Sequence, residues 1–77
     1  MAVLTEFTAS FNHETEGLMR FVVYKSRDSN GMSDRLTAET CALIRQRGFM
    51  FPLAGEGSDH IPGSHISRLH VTTTSLD

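Results

Sequence analysis

A single short helical signal stands among segments that read as β-structure, and this sets the architecture. Residues 37–48 carry the one clear helical pattern. One helix covers at most one face of a small sheet, so the other face meets water or a partner. Residues 3–11 alternate, with Val3, Phe7, Ala9 and Phe11 on one side and Leu4, Glu6, Thr8 and Ser10 on the other, the period of a half-buried strand. The polar stretch 12–17 ends in Gly17 and suits a hairpin loop. Residues 18–26 are rich in β-formers, Phe21, Val22, Val23 and Tyr24, and pair antiparallel with the first strand.

The pattern breaks at 27–33, where Asn30-Gly31 is a turn dipeptide. A loop into the helix is preferred there over an extra strand at 32–36, because Asp34 and Arg35 interrupt the apolar pattern. Thr37 is the expected N-cap, with Leu36 and Cys41 as a hydrophobic staple. Glu39 in the first turn and Arg45 and Arg47 in the last suit the helix dipole, and Gly48 is the stop. The expected buried stripe is Ala38, Cys41 and Ile44, with Leu43 at its margin. Residues 49–53 form a short or edge strand because Pro52 cannot donate to a ladder. Residues 54–64 read as a glycine-rich surface loop, and 66–76 return to strand alternation. The expected fold is α+β, a single domain over 1–77: about four antiparallel strands in ββαββ order with one helix on one face.

The core set on this reading is Phe7, Ala9, Phe11, Phe21, Val23, Phe51, Leu69 and Val71 against Cys41 and Ile44. The opposite face then carries Thr8, Ser10, Arg20, Val22, Tyr24, Arg68, His70 and Thr72. Aromatic, arginine and small hydroxyl residues together have the composition of a contact surface. A solvated face of β-formers is the plainer alternative.

With 77 residues there is room for one core. The net charge of −2 counts against a protein devoted to coating nucleic acid. Residues 18–48 are basic and the ends acidic, including Asp77, a pattern that folding can neutralise. A single cysteine excludes an internal disulfide, and no apolar run approaches the ~20 residues of a membrane span. MAVLTEF lacks the basic and apolar regions of a signal peptide, and Met1 before a small residue looks like an authentic start. These features lead to the expectation of a complete, soluble, cytoplasmic protein with no membrane partner.

No motif specifies a reaction. His60, His65 and His70 recur every five residues, but in a strand residues five apart point to opposite faces, so surface histidines are preferred to a metal site. Cys41 reads as a small core residue rather than a nucleophile. Glu14 and Glu16 read as exposed loop acids, and Gly55, Gly57 and Gly63 as turn formers without a phosphate-loop lysine. No cofactor, no metal and no catalysis are expected. The leading expectation is a small protein that binds another macromolecule and blocks it sterically, with a protein as the partner. Size and composition alone place it beside the inhibitors of host machinery that phages and mobile elements encode, anti-CRISPR proteins among them. Contact is expected at the open sheet face (Arg20, Tyr24, Arg68, His70), the 54–64 loop or the arginine-bearing helix end. Glu14 and Glu16 are expected to engage a basic groove. Self-association as a homodimeric module and sheet-face nucleic-acid binding are the alternatives, nucleic acid ranking behind a protein partner.

Overall fold

The alternation that begins at Val3 runs on to His13, and this strand, β1 (Val3–His13), is the spine of the fold. The structure, a computed structural model, describes residues 2–76. Met1, read above as a start, and Asp77, counted with the acidic end, lie outside the described residues. Strand β1 pairs antiparallel on one edge with β2 (Gly17–Asp28) and on the other with β5 (Ile66–Ser75), giving the order β2-β1-β5. Between β2 and β5 the chain forms α1 (Asp34–Arg47), a separate two-stranded sheet of β3 (Phe49–Pro52) and β4 (Ser58–Ile61), and a short 3-10 turn at Gly63–His65.

The class is therefore α+β, but two corrections follow. The described residues form five strands in ββαβββ order, and these divide into two antiparallel sheets rather than one. The stretch 54–64 is not simply a loop: Ser58–Ile61 is β4, and it folds back so that Phe49 faces Ile61 and Pro52 faces Ser58. Its one apolar residue in strand conformation, Ile61, offered too little periodicity to read. Asn30-Gly31 does lead by a loop into the helix, with Gly31 at φ 78°.

The helix starts earlier than expected. Ser33, not Thr37, is the N-cap: its Oγ accepts from the Leu36 N–H at 3.1 Å. Thr37 lies inside the first turn, where its hydroxyl donates to the Ser33 carbonyl at 2.8 Å. Leu36 is thus a helical residue, 47% exposed, and takes no part in a staple. Of the expected stripe, Ile44 is buried and Cys41 half-buried against the core, whereas Ala38 and Leu43 are exposed. The end is as expected: the Gly48 N–H donates to the Ile44 carbonyl at 2.8 Å, and its φ of 74° requires glycine.

The core lies on the odd-numbered face of β1. Phe7, Ala9 and Phe11 are fully buried there, joined by Ile44, Phe49, Phe51, Ile61 and Ile66. Phe21, Val23, Leu69 and Val71 pack at its margin, in agreement with the sequence reading. Phe11 meets Phe49 and Phe51 edge to face at centroid distances of 5.2 and 5.1 Å. Phe21 stacks on Phe49 at 5.8 Å and meets Phe51 edge-on at 5.5 Å. Such pairs add about 0.5–1.5 kcal/mol each beyond their area.

Two features of the core yield measurable consequences. Thr5 sits on the same face, 1% exposed, and its Oγ1 has no hydrogen-bond partner. Thr5→Val keeps the shape and removes the orphaned hydroxyl, so it is expected to stabilise by about 1 kcal/mol, raising Tm by roughly 4–8 °C. Gly63 is buried where a Cβ would overlap the backbone carbonyl of Arg45. Gly63→Ala is expected to destabilise by about 1–3 kcal/mol, read in the same thermal melts by circular dichroism.

Candidate functional site

The even-numbered face of β1 bears none of the buried core residues and is the open face of the sheet. Register fixes its composition. Ser10 stands between Arg20 and Arg68, Thr8 between Val22 and His70, Glu6 between Lys25 and Thr72, and Leu4 between Arg27 and Thr74. Thr8, Ser10, Arg20, His70 and Thr72 line a shallow depression of about 230 Å³ on this face. Thr8 and Ser10 form its floor because they occupy the central strand, and Arg20 on one outer strand and His70 and Thr72 on the other form its banks.

Two bulges decide which residues belong to it. Phe7 pairs with Tyr24 and Thr8 with Val22, so Val23 is an extra residue in β2. The shift puts Tyr24 on the core side, its ring 5.9 Å from that of Phe7 and 49% exposed. The expectation that Tyr24 shares the open face with Arg20 is thereby corrected: strict alternation from Arg20 fails at one residue. A second bulge, opposite Ser10 and Phe11, leaves Ser67 unpaired, and its hydroxyl donates to the Ser10 carbonyl at 2.9 Å. Arg20, Arg68 and His70 remain together as expected. The sequence reading missed Lys25 and Arg27, which the same bulge carries onto the open face.

The electrostatic outcome is a segregation of charge. Four of the chain's seven Lys and Arg residues, Arg20, Lys25, Arg27 and Arg68, stand on the open face, with one carboxylate, Glu6, beside them among the described residues. Elsewhere the described residues place Arg35, Arg45 and Arg47, all on the helix, among seven carboxylates. Arg35 is taken up with Glu39 at 3.2 Å. The mutual neutralisation allowed by the sequence therefore does not occur across the sheet.

Glu14 and Glu16 lie in the β1–β2 turn, exposed, apart from the arginine rows. The turn is held by His13, a buried residue whose role the sequence did not disclose. Its Nδ1 accepts from the backbone N–H groups of Thr15 and Glu16, each at 3.3 Å, and lies 3.1 Å from the Thr15 hydroxyl. Backbone N–H groups only donate, so Nδ1 is the accepting nitrogen and Nε2 carries the hydrogen, which it donates to Asp59 at 3.1 Å. His13 thus ties the hairpin turn to β4, and its ring lies 5.5 Å from Phe51. His60 lies near this end and bonds through Nε2 to the Arg47 carbonyl at 2.9 Å. His13, Glu14, Asp59, His60 and His65 line one groove, while His70 is on the open face. Among the described residues no three His, Cys, Asp or Glu side chains form a group that could hold a metal ion. No helix among them is long and apolar enough to cross a membrane.

No family model matches the chain, nor does any curated protein or solved structure.

His13→Ala removes both the turn anchor and the bond to Asp59. A loss of about 2 kcal/mol is expected in urea unfolding. Asp59→Asn, which keeps an acceptor for Nε2, is expected to cost less than about 1 kcal/mol, and equal losses in the two variants would show that the Asp59 bond carries the effect.

Proposed function

We propose that the protein is a non-enzymatic binding module whose contact surface is the open face of the three-stranded sheet, and that its partner presents negative charge. The observation that carries this is the set of four cationic side chains with a single carboxylate on one solvent-facing sheet surface, in a chain of net charge −2. Placing like charges side by side costs free energy in the isolated protein, and an oppositely charged partner recovers it. The depression is shallow and lined by Thr, Ser, Arg and His side chains, a surface suited to contact rather than to enclosing a small substrate. Bound this way, the sheet would act sterically, by occupying a functional surface, in a cytoplasmic setting that a single free cysteine tolerates.

The exposed Glu14 and Glu16 support a second reading, in which the hairpin turn enters a basic groove on a target protein. The two readings place the contact at different sites and respond to different variants.

Retention on a heparin column at neutral pH and low salt tests the first. The wild-type protein is expected to be held despite its net negative charge. Arg20→Glu/Arg68→Glu is expected in the flow-through, whereas Arg45→Glu/Arg47→Glu, with the same net charge, is expected to be held. A wild-type protein that passes through unretained overturns the reading.

A further inference from the structure

The open face has a property beyond its charge: it holds no phenylalanine, tyrosine or tryptophan, and His70 supplies its one ring among the described residues. The chain has five phenylalanines, one tyrosine and no tryptophan. Phe7, Phe11 and Phe21 point to the core from β1 and β2, Phe49 and Phe51 belong to β3, and the bulge at Val23 turns Tyr24 away. Proteins that bind single-stranded nucleic acid rely on stacking of bases on aromatic side chains, about 1–3 kcal/mol per base. Here it is limited to the single imidazole of His70. The rest is a set of long cationic arms with hydroxyl groups between them, which addresses phosphates before bases.

Resting on the reading above, we propose that the open face binds the phosphodiester backbone of double-stranded DNA, straddling the minor groove without reading base sequence. Arg20 and Arg68 share one cross-strand row through Ser10 and are rooted on the two outer strands. Two inter-strand spacings separate them, about 10 Å. The B-form minor groove is about 6 Å wide, so its flanking phosphates fall within reach of two arginines so placed. The minor groove of A-form RNA is wide and shallow and fits this pair less well. Along β2, the rows of Arg20, Lys25 and Arg27 correspond to Ser10, Glu6 and Leu4 of β1. Six strand residues separate the first row from the last, roughly 20 Å. A duplex offers one charge per about 1.7 Å of its axis, so a line of cations is matched along its length. An acidic protein surface has no such continuous row. The Ser10 hydroxyl, between the two arginines, and those of Thr8 and Thr72 in the neighbouring rows can donate to phosphate oxygens laid along the face. Among the described residues the helix and the second hairpin pack on the core side, leaving no element on this face to enter a groove, so base edges go unread.

Glu6 is the discordant residue on the face. Its carboxylate stands next to Lys25 in the register and opposes any phosphate there.

Fluorescence anisotropy with a short labelled DNA duplex of arbitrary sequence, titrated with the full chain, tests the proposal. Four phosphate contacts give a slope of log K against log salt of about −3.6, roughly a hundredfold loss of affinity between about 50 and 200 mM salt. Arg20→Gln/Arg68→Gln is expected to reduce that slope by about two units. Glu6→Gln is expected to tighten binding severalfold, a gain that misfolding cannot produce. Duplexes of unrelated sequence are expected to bind alike. Four outcomes overturn the proposal: no duplex binding, single-stranded DNA bound as tightly as duplex, RNA duplex bound more tightly than DNA, or polyglutamate competing as well as DNA. Any of these, with heparin retention intact, leaves the broader reading standing; absence of heparin retention removes both. Loss of DNA binding in Arg45→Gln/Arg47→Gln, with Arg20→Gln/Arg68→Gln unaffected, moves the contact to the helix end and overturns the proposal as well.

Discussion

The meeting of Phe11 with Phe49 and Phe51 is the contact on which the rest of the structure depends. The β3–β4 hairpin shares no ladder with the three-stranded sheet, so side-chain packing must hold the two together. Phe11 lies on the central strand and is fully buried, and its edge-to-face contacts reach both inward residues of β3. Phe21 adds a second pair of contacts from the neighbouring strand. Helix α1 precedes this hairpin, joined through Gly48, and brings Ile44 into the same cluster. A chain of this size has a small apolar core to distribute, and here it is concentrated on one face of the sheet.

That concentration explains why the opposite sheet face can be polar and charged. The core demand is met on the odd-numbered side of β1, leaving the even-numbered side free of any packing requirement. The residues there are Leu4, Glu6, Thr8 and Ser10 in the middle, flanked by Arg20, Val22, Lys25 and Arg27 on β2 and by Arg68, His70, Thr72 and Thr74 on β5. The bulge opposite Phe7 serves both sides at once. It adds Val23 and Tyr24 to the apolar side, and it returns Lys25 and Arg27 to the charged side.

Much of this was legible in the sequence, for identifiable reasons. The alternation in β1 and the run Phe21-Val22-Val23 have the period of strands, and they located the core face correctly at Phe7, Ala9 and Phe11. Arg20, Arg68 and His70 were placed on one face by the same argument. What failed was whatever depends on an interruption of period. Tyr24 was misplaced because a bulge leaves no mark when its neighbours are all β-formers. The β4 strand, SDHI, has one apolar residue and sits between glycines, so it resembles the loop around it. Thr37 has the hydroxyl of a cap and the staple spacing of Leu36 and Cys41, but Ser33 carries the same group, and it is the Ser33 Oγ that accepts from the Leu36 N–H. The anchoring role of His13 needs Asp59, which is 46 residues away and invisible to local patterns.

The pairing of β1 with β5 joins Val3 to Ser75 and continues to a bond from the Leu76 N–H to the Ala2 carbonyl at 2.9 Å. One whole edge of the central strand is thus paired with residues 55 to 72 positions away in sequence, from Phe11 with Ile66 to Val3 with Ser75. The β1–β2 hairpin closes locally and early, but β5 must be brought home across the helix and the second hairpin, at the full entropic cost of closing that loop. Topologies dominated by such distant pairings fold slowly, on a scale of about milliseconds to seconds. Until β5 docks, β1 presents an unpaired edge, so β5 is both a strand of the sheet and the cover that keeps β1 from pairing with another chain.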